Sequence, residues 1–301
     1  MGIYVEIFIR SCMDDLWRKT QEPKLHERWD LRFSRIDYLP RLPGEAQKFL
    51  YATRIGAGLQ INGEGESTGE RDDVSGERTS ALKFWSRDPK SLIEVGSGYW
   101  QYTPHEGGIR FLTSYDYRTR FGTIGNIVDR LVFRPLIGWA TAWSFDRLRL
   151  WIEQDIAPEV SRDRALIYTL SRLTLAVVWL YQGVVPKLLY HSKDVLRMLA
   201  DAGVPNSHLL TWVSVFGWLE VGFAVILIVF WKARWPLWCT IAAMLAATLA
   251  VGINSPVYLT AAFNPLTLNL AIAVLAAIGL LVAGNLPTAK HCRRKPSEAK
   301  R

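Results

Sequence analysis

Four long apolar runs after residue 160 constrain this chain more than any other feature. They cover 165–185, 209–231, 235–253 and 263–284. Each holds about 19 to 23 residues, and a helix rising about 1.5 Å per residue needs roughly 20 to cross a bilayer core. Helices buried in a soluble bundle keep a polar stripe, and the third and fourth runs (CTIAAMLAATLAVGI and LTLNLAIAVLAAIGLLVAG) have none. The runs are therefore read as transmembrane helices in contact with a lipid bilayer.

The charge divides at the same place. Residues 1–160 hold 22 Lys and Arg against 23 Asp and Glu, whereas 161–301 hold 14 against 5. The net charge of +8 thus belongs to the second half, where it punctuates apolar runs. That is the pattern of membrane flanks, and it excludes nucleic acid as a partner. Arg162, Arg164, Lys232, Arg234, Lys290, Arg293, Arg294, Lys295, Lys300 and Arg301 fall on one side of the four spans. Only Lys187, Lys193 and Arg197 fall on the other. The expectation is a multi-pass inner-membrane protein with both termini cytoplasmic. The opening segment MGIYVEIFIR alternates like a strand, carries Glu6 and is too short for a signal peptide. Cys12, Cys239 and Cys292 are too far apart to suggest a disulfide scaffold or a metal site.

The first half reads as strands closed by a long helix. Ile3, Val5, Ile7 and Ile9 form a period-two face. Residues 12–30 have helical character, broken around Pro23. Strands are expected at 33–38, 48–54, 58–67, 78–86, 91–102 and 109–117, with turn signals that include Gly65 and Gly69. A helix over 123–154 follows, bent by Pro135, which lacks an N–H and crowds the preceding turn. His26 and His105 are read as solvated. Glu64, Glu66 and Glu70 lack metal-ligand spacing, and no catalytic set appears in this half.

This order of elements, with its closing segment GTIGNIVDRLVFRPLIGWATAWSFDRLRLWIE, resembles the START-like or SRPBCC helix-grip superfamily over 1–156. The resemblance implies an antiparallel sheet wrapped around the long helix, with an apolar cavity for a hydrophobic small molecule. Trp100, Phe111, Trp139 and Trp143 would line that cavity; the alternative is that such aromatics fill it.

The second half carries Gly183-Val184-Val185-Pro186-Lys187, then Gly217-Trp218-Leu219-Glu220, then Pro256 with Phe263-Asn264-Pro265. These three motifs, in order on four spans, are similar to the DoxX-like membrane family over 165–285. Residues 157–164 then form a short linker and 286–301 a basic cytoplasmic tail. The fold class is an α+β helix-grip domain followed by an all-α four-helix membrane bundle. Some DoxX relatives are quinone-linked oxidoreductase subunits, so the resemblance implies a quinone as a cofactor to weigh.

Charges inside hydrocarbon cost roughly 2.5–3.5 kcal/mol each and so have a partner or a task. Glu220 lies near mid-span and Arg172 about 10 Å into the first span, so the two could meet. Glu220 is then either half of a structural pair or a functional carboxylate: a proton carrier, or a ligand-binding group together with Arg172, Lys187 and Asn269. Lys187 and Asn269 are expected near a polar outer mouth, and Asn254 and Asn264 are read as helix caps. Three functions follow: a hydrophobic-ligand domain tethered to a membrane bundle, a quinone- or lipid-linked oxidoreductase, or a scaffold that docks a soluble oxidoreductase.

Overall fold

The computed structural model describes residues 2–56 and 58–296. The chain forms two compact units. The first runs to Arg162 and takes in the residues from Pro287 onward; the second is Asp163–Leu286.

The first unit is an α+β helix-grip fold. Its elements begin β1 (Ile3–Ile9), α1 (Met13–Gln21), α2 (Pro23–Trp29), β2 (Arg35–Tyr38), β3 (Lys48–Gly56) and β4 (Leu59–Asp72). They continue β5 (Arg78–Trp85), β6 (Ile93–His105), β7 (Gly108–Thr119), α3 (Gly122–Val128) and α4 (Arg134–Gln154). All strand pairs are antiparallel, in the order β1-β7-β6-β5-β4-β3-β2. Only the β1–β7 pair is non-sequential, and it brings the N-terminal strand against the last one. The period-two face of β1 is the buried one, with Val5 and Ile9 at 0% exposure.

α4 packs on that face. Phe145 stacks on Phe111 with centroids 4.5 Å apart, and the Thr141 hydroxyl lies 3.0 Å from the Tyr115 hydroxyl. Trp29, Trp100, Tyr102, Phe111 and Phe145 fill the space between helix and sheet at this end. α1 and α2 are separated at Glu22 because Pro23 takes the first turn of a new helix, where its missing N–H costs nothing.

The expected single helix over 123–154 is divided. Asp129–Phe133 form a π-helical turn, in which the Arg134 N–H donates to the Asp129 carbonyl five residues back. Pro135 explains this: it has no N–H for the carbonyl four residues earlier, and its ring pushes that turn wider. β4 also runs further than expected, to Asp72. Gly65 is a mid-strand residue rather than a turn signal, and Gly69 sits at a register shift opposite Ala81.

The segment after the last span folds into the first unit. Its described part contains the short helix Ala289–His291. Glu6 and Arg293 exchange two backbone hydrogen bonds (2.9 and 2.8 Å), so this segment covers the open edge of β1. Ala289 and Cys292 join the core cluster. The tail's Lys300 and Arg301 lie outside the described residues.

The second unit holds four helices long and apolar enough to cross a membrane: Pro158–Leu189, Asn206–Val229, Trp235–Asn254 and Pro265–Val282, with mean hydropathy from 1.2 to 2.3. Little more than a quarter of any of them is buried by protein, so their apolar surface faces outward, as lipid contact requires. The first begins as α5 (Pro158–Gly183) and ends in a π-helical stretch, Val184–Leu189. Residues 158–164, expected as part of a linker, are thus helical, with Pro158 starting the helix. α6 (Lys193–Asp201), α7 (Leu209–Val229), α8 (Trp235–Asn254) and α9 (Pro265–Val282) follow. Leu175, Leu227, Leu237 and Ala276 form the centre of their packing.

Candidate functional site

Two places in the chain concentrate groups that need explanation, one in each unit.

In the first unit it is the inner face of the sheet beyond α4. Strand register places one residue from each of six strands in a single row: Tyr117, Gly96, Phe84, Gly65, Phe49 and Tyr38. Rings and glycines alternate along it from Tyr117 to Phe49. A Cβ on Gly65 would stand 2.2 Å from the Phe49 ring tip, and one on Gly96 would stand 2.4 Å from that of Phe84. In the neighbouring row, Tyr51 lies over Gly63 in the same way, at 2.2 Å. Each ring therefore lies down across the glycine of the next strand instead of standing up from the sheet. The result is a low apolar floor. Tyr38 remains 46% exposed, and Phe49, Tyr51 and Phe84 are only half-buried. Burial pushes the Tyr51 phenol up to about 12, so it is neutral there.

A polar cluster borders this floor. Phe33 packs against Tyr51 (5.6 Å) and His26 (5.2 Å). His26 is buried rather than solvated, stacked on Trp29 at 4.9 Å and edge-on to Trp100 at 5.0 Å. Its Nε2 donates to Asp30 Oδ2 at 3.0 Å, and Arg32 Nε and Nη2 donate to the same carboxylate. Burial alone would raise the Asp30 carboxyl, but the Arg32 guanidinium and the His26 hydrogen bond overcome it and hold it below the usual carboxylate range. The His-x-x-x-Asp spacing, one helical turn, was the legible signal for this pair.

The four aromatic residues expected to line a cavity fall into two pairs, Trp100 with Phe111 (5.7 Å) and Trp139 with Trp143. Trp100 and Phe111 belong to the filled core. Trp139 is 43% exposed and stacks on Trp143 at 6.1 Å, while Trp143 also carries the Arg147 guanidinium at 5.1 Å. The partly covered surface is floored instead by Phe49, Tyr51 and Phe84.

In the second unit, the two Gly-containing motifs meet. A Cβ on Gly183 would lie 2.6 Å from the Gly217 carbonyl oxygen and one on Gly217 would lie 2.8 Å from Leu188 Cγ, so side chains are excluded where these helices touch. The π-helical turn then carries Lys187 back toward α7, where Nζ donates to both Glu220 oxygens at 2.6 and 2.8 Å. Both side chains are largely buried.

The expected meeting of Arg172 and Glu220 does not occur. Arg172 has 0% exposure and donates to the carbonyls of Leu227 (3.0 Å), Phe230 (2.9 Å) and Ala233 (2.7 Å), and to the Tyr168 hydroxyl (2.6 Å). It caps the end of α7 and the turn that follows, where the carbonyls carry partial negative charge. Asn269 donates to the Thr248 hydroxyl and binds α9 to α8, apart from Lys187. Asn264 accepts from the Thr267 N–H and caps α9, whereas Asn254 donates to its own helix's Ala250 carbonyl. Among the described residues no group of three metal-ligating side chains occurs.

The DoxX-like family model matches residues 176–277, which contain both motifs of the Lys187–Glu220 pair. The uncharacterized membrane protein YndG of Bacillus subtilis (strain 168) is 42% identical over 294 residues, covering 97% of each chain. Solved structures similar to the first unit have low scores. The protein TTHA0849 of Thermus thermophilus is 16% identical over 46% of this chain and 87% of its own, with a TM-score of 0.36. A STAR-related lipid transfer protein fragment from Xanthomonas axonopodis is 14% identical over 49% and 83%, also at 0.36. The Zhui aromatase/cyclase from a Streptomyces species is 12% identical over 50% and 96%, at 0.34. The helix-grip assignment accordingly stands on the sheet order and α4 packing described above. With 42% identity sustained over almost its whole length, and with residues 176–277 matching the DoxX-like model, this chain belongs to the same family of membrane proteins as YndG.

Proposed function

We propose that the first unit holds a hydrophobic molecule on the inner face of β3–β5, in a protein anchored in the inner membrane by its DoxX-like bundle. The observation that supports this is the row of rings laid flat on glycines. A ring that stands up from a sheet fills the space between sheet and helix, as Phe111 does beneath Phe145. A ring that lies flat leaves that space open while keeping its surface apolar, which suits a ligand bound by dispersion and area burial. The His26–Asp30 pair supplies a fixed polar group beside the floor.

The first unit faces the cytoplasm in this reading. The Lys and Arg asymmetry of the loops supports that side. The folding of the post-span segment onto β1 supports placing both ends of the chain on one face, since an even number of crossings separates them.

The test compares the full chain with Gly65→Leu, both purified from membranes in mild detergent. Leucine at 65 would strike the Phe49 ring and tilt it into the open space. Bound hydrophobic molecules extracted with organic solvent and measured by mass spectrometry should fall by about tenfold, equivalent to roughly 1.4 kcal/mol of lost contact. Equal recovery from a Gly65→Leu protein of unchanged circular dichroism would overturn the proposal.

A further inference from the structure

The segment from α3 into α4 is amphipathic in the inverse sense. Two of its charged side chains point inward: Asp129 is 5% exposed, accepts from the Tyr117 hydroxyl at 2.6 Å and from Arg134 Nε at 2.8 Å, and Arg134 Nη1 reaches Asp116 at 3.0 Å. Arg134 also lies over the Tyr117 ring at 4.6 Å. Its apolar side chains point outward. Ile124 (74% exposed), Ile127, Leu131 (70%), Val132, Leu136 and Trp139 lie uncovered along about 25 Å of helix, at roughly 1.5 Å per residue. A contiguous apolar surface of this kind marks an interaction face.

We infer that this face lies in the headgroup–acyl boundary of the bilayer, so that the first unit is seated on the membrane and not merely tethered to it. Three observations choose lipid as the occupant. Only residues 155–157 separate α4 from the helix that enters the first span, so the chain itself keeps a bilayer within reach. Arg130 is exposed among the apolar residues and suits anionic headgroups. Trp139 ends the stripe, and a ring with one polar edge is favoured at the boundary. The polar network on the opposite side fixes which face is offered, because turning the helix over would bury Ile124 and Leu131 at the expense of the Asp129 hydrogen bonds.

The experiment uses the full chain with Cys12, Cys239 and Cys292 replaced by alanine and one cysteine introduced as Leu131→Cys. The control is Val74→Cys, at the fully exposed tip between β4 and β5. Each is labelled with an environment-sensitive nitrobenzoxadiazole dye and placed in nanodiscs of phosphatidylcholine and phosphatidylglycerol. The label at 131 should emit to the blue of the label at 74, be quenched by nitroxide on the lipid acyl chains, and resist iodide in the water. A second substitution, Val132→Asp, should abolish this lipid quenching, and as an exposed change it leaves the fold intact. Iodide quenching at 131 equal to that at 74 would overturn the inference. So would shielding from both quenchers, which would mean that protein, such as a second copy of the chain, covers the face.

Discussion

Replacing Arg172 by methionine is expected to lower the apparent melting temperature of the membrane unit by roughly 10 °C, from a loss of about 3 kcal/mol. The side chain is apolar enough for the site, so the effect isolates the guanidinium. The Leu227, Phe230 and Ala233 carbonyls, at and just beyond the end of α7, share this one donor group with the Tyr168 hydroxyl. Single hydrogen bonds inside membranes average only about 0.6 kcal/mol, because an unfolded chain in lipid also finds partners. Arg172→Met breaks four such bonds at once, and although the Phe230 carbonyl keeps the Ala233 N–H and the Tyr168 hydroxyl keeps the Trp231 carbonyl, the summed loss dominates. Arg172→Lys should fall between, since one ammonium cannot span the same acceptors. Glu220→Gln should add to Arg172→Met within about 0.5 kcal/mol, as separate sites do. Strong coupling between them would contradict the capping geometry, as would an Arg172→Met protein that melts with the wild type.

The second large effect concerns the far end of the chain. Ending it at Leu286 should destabilise the first unit, although every strand and α4 remain present. Asp146 has 0% exposure and accepts from Arg149 Nε (2.7 Å), the Thr288 N–H (2.8 Å) and His291 Nδ1 (2.9 Å). Truncation removes two of these three donors and uncovers the edge of β1. Arg149 stays as the ionic partner, and each lost hydrogen bond to the buried carboxylate costs about 1.5–3 kcal/mol. Limited proteolysis of the full chain and the truncated chain in the same detergent should then cut the first unit markedly faster in the latter, with Asp146→Ala reproducing much of the change. Equal resistance would mean that the segment is only an ornament on the edge strand.

Much of this was legible because it depends on period and length. The β1 alternation, the break at Pro23 and the four spans follow from local spacing, and the Gly-x-x-Pro-Lys and Gly-x-x-Glu motifs marked the helix contact that the structure builds. What was not legible depends on register. Gly65 reads as a turn signal until Phe49 and Phe84 are known to flank it across the sheet. Arg172 and Glu220 lie at compatible depths, but depth alone does not reveal that the carbonyls at and just beyond the end of α7 sit nearer to the arginine than any carboxylate. His26 has charged neighbours in sequence and aromatic ones in space. The last residues read as a basic flank because their partners, Glu6 and Asp146, are more than 140 positions away.

The proposed hydrophobic molecule would rest on the flat aromatic floor of the first unit. The most direct measurement is a cryo-electron microscopy map of the full chain in nanodiscs formed from its native membrane lipids. Continuous non-protein density is expected in contact with the rings of Phe49, Tyr51 and Phe84, reaching toward His26. A map in which those rings are covered by the protein's own side chains, with no density above them, would contradict it.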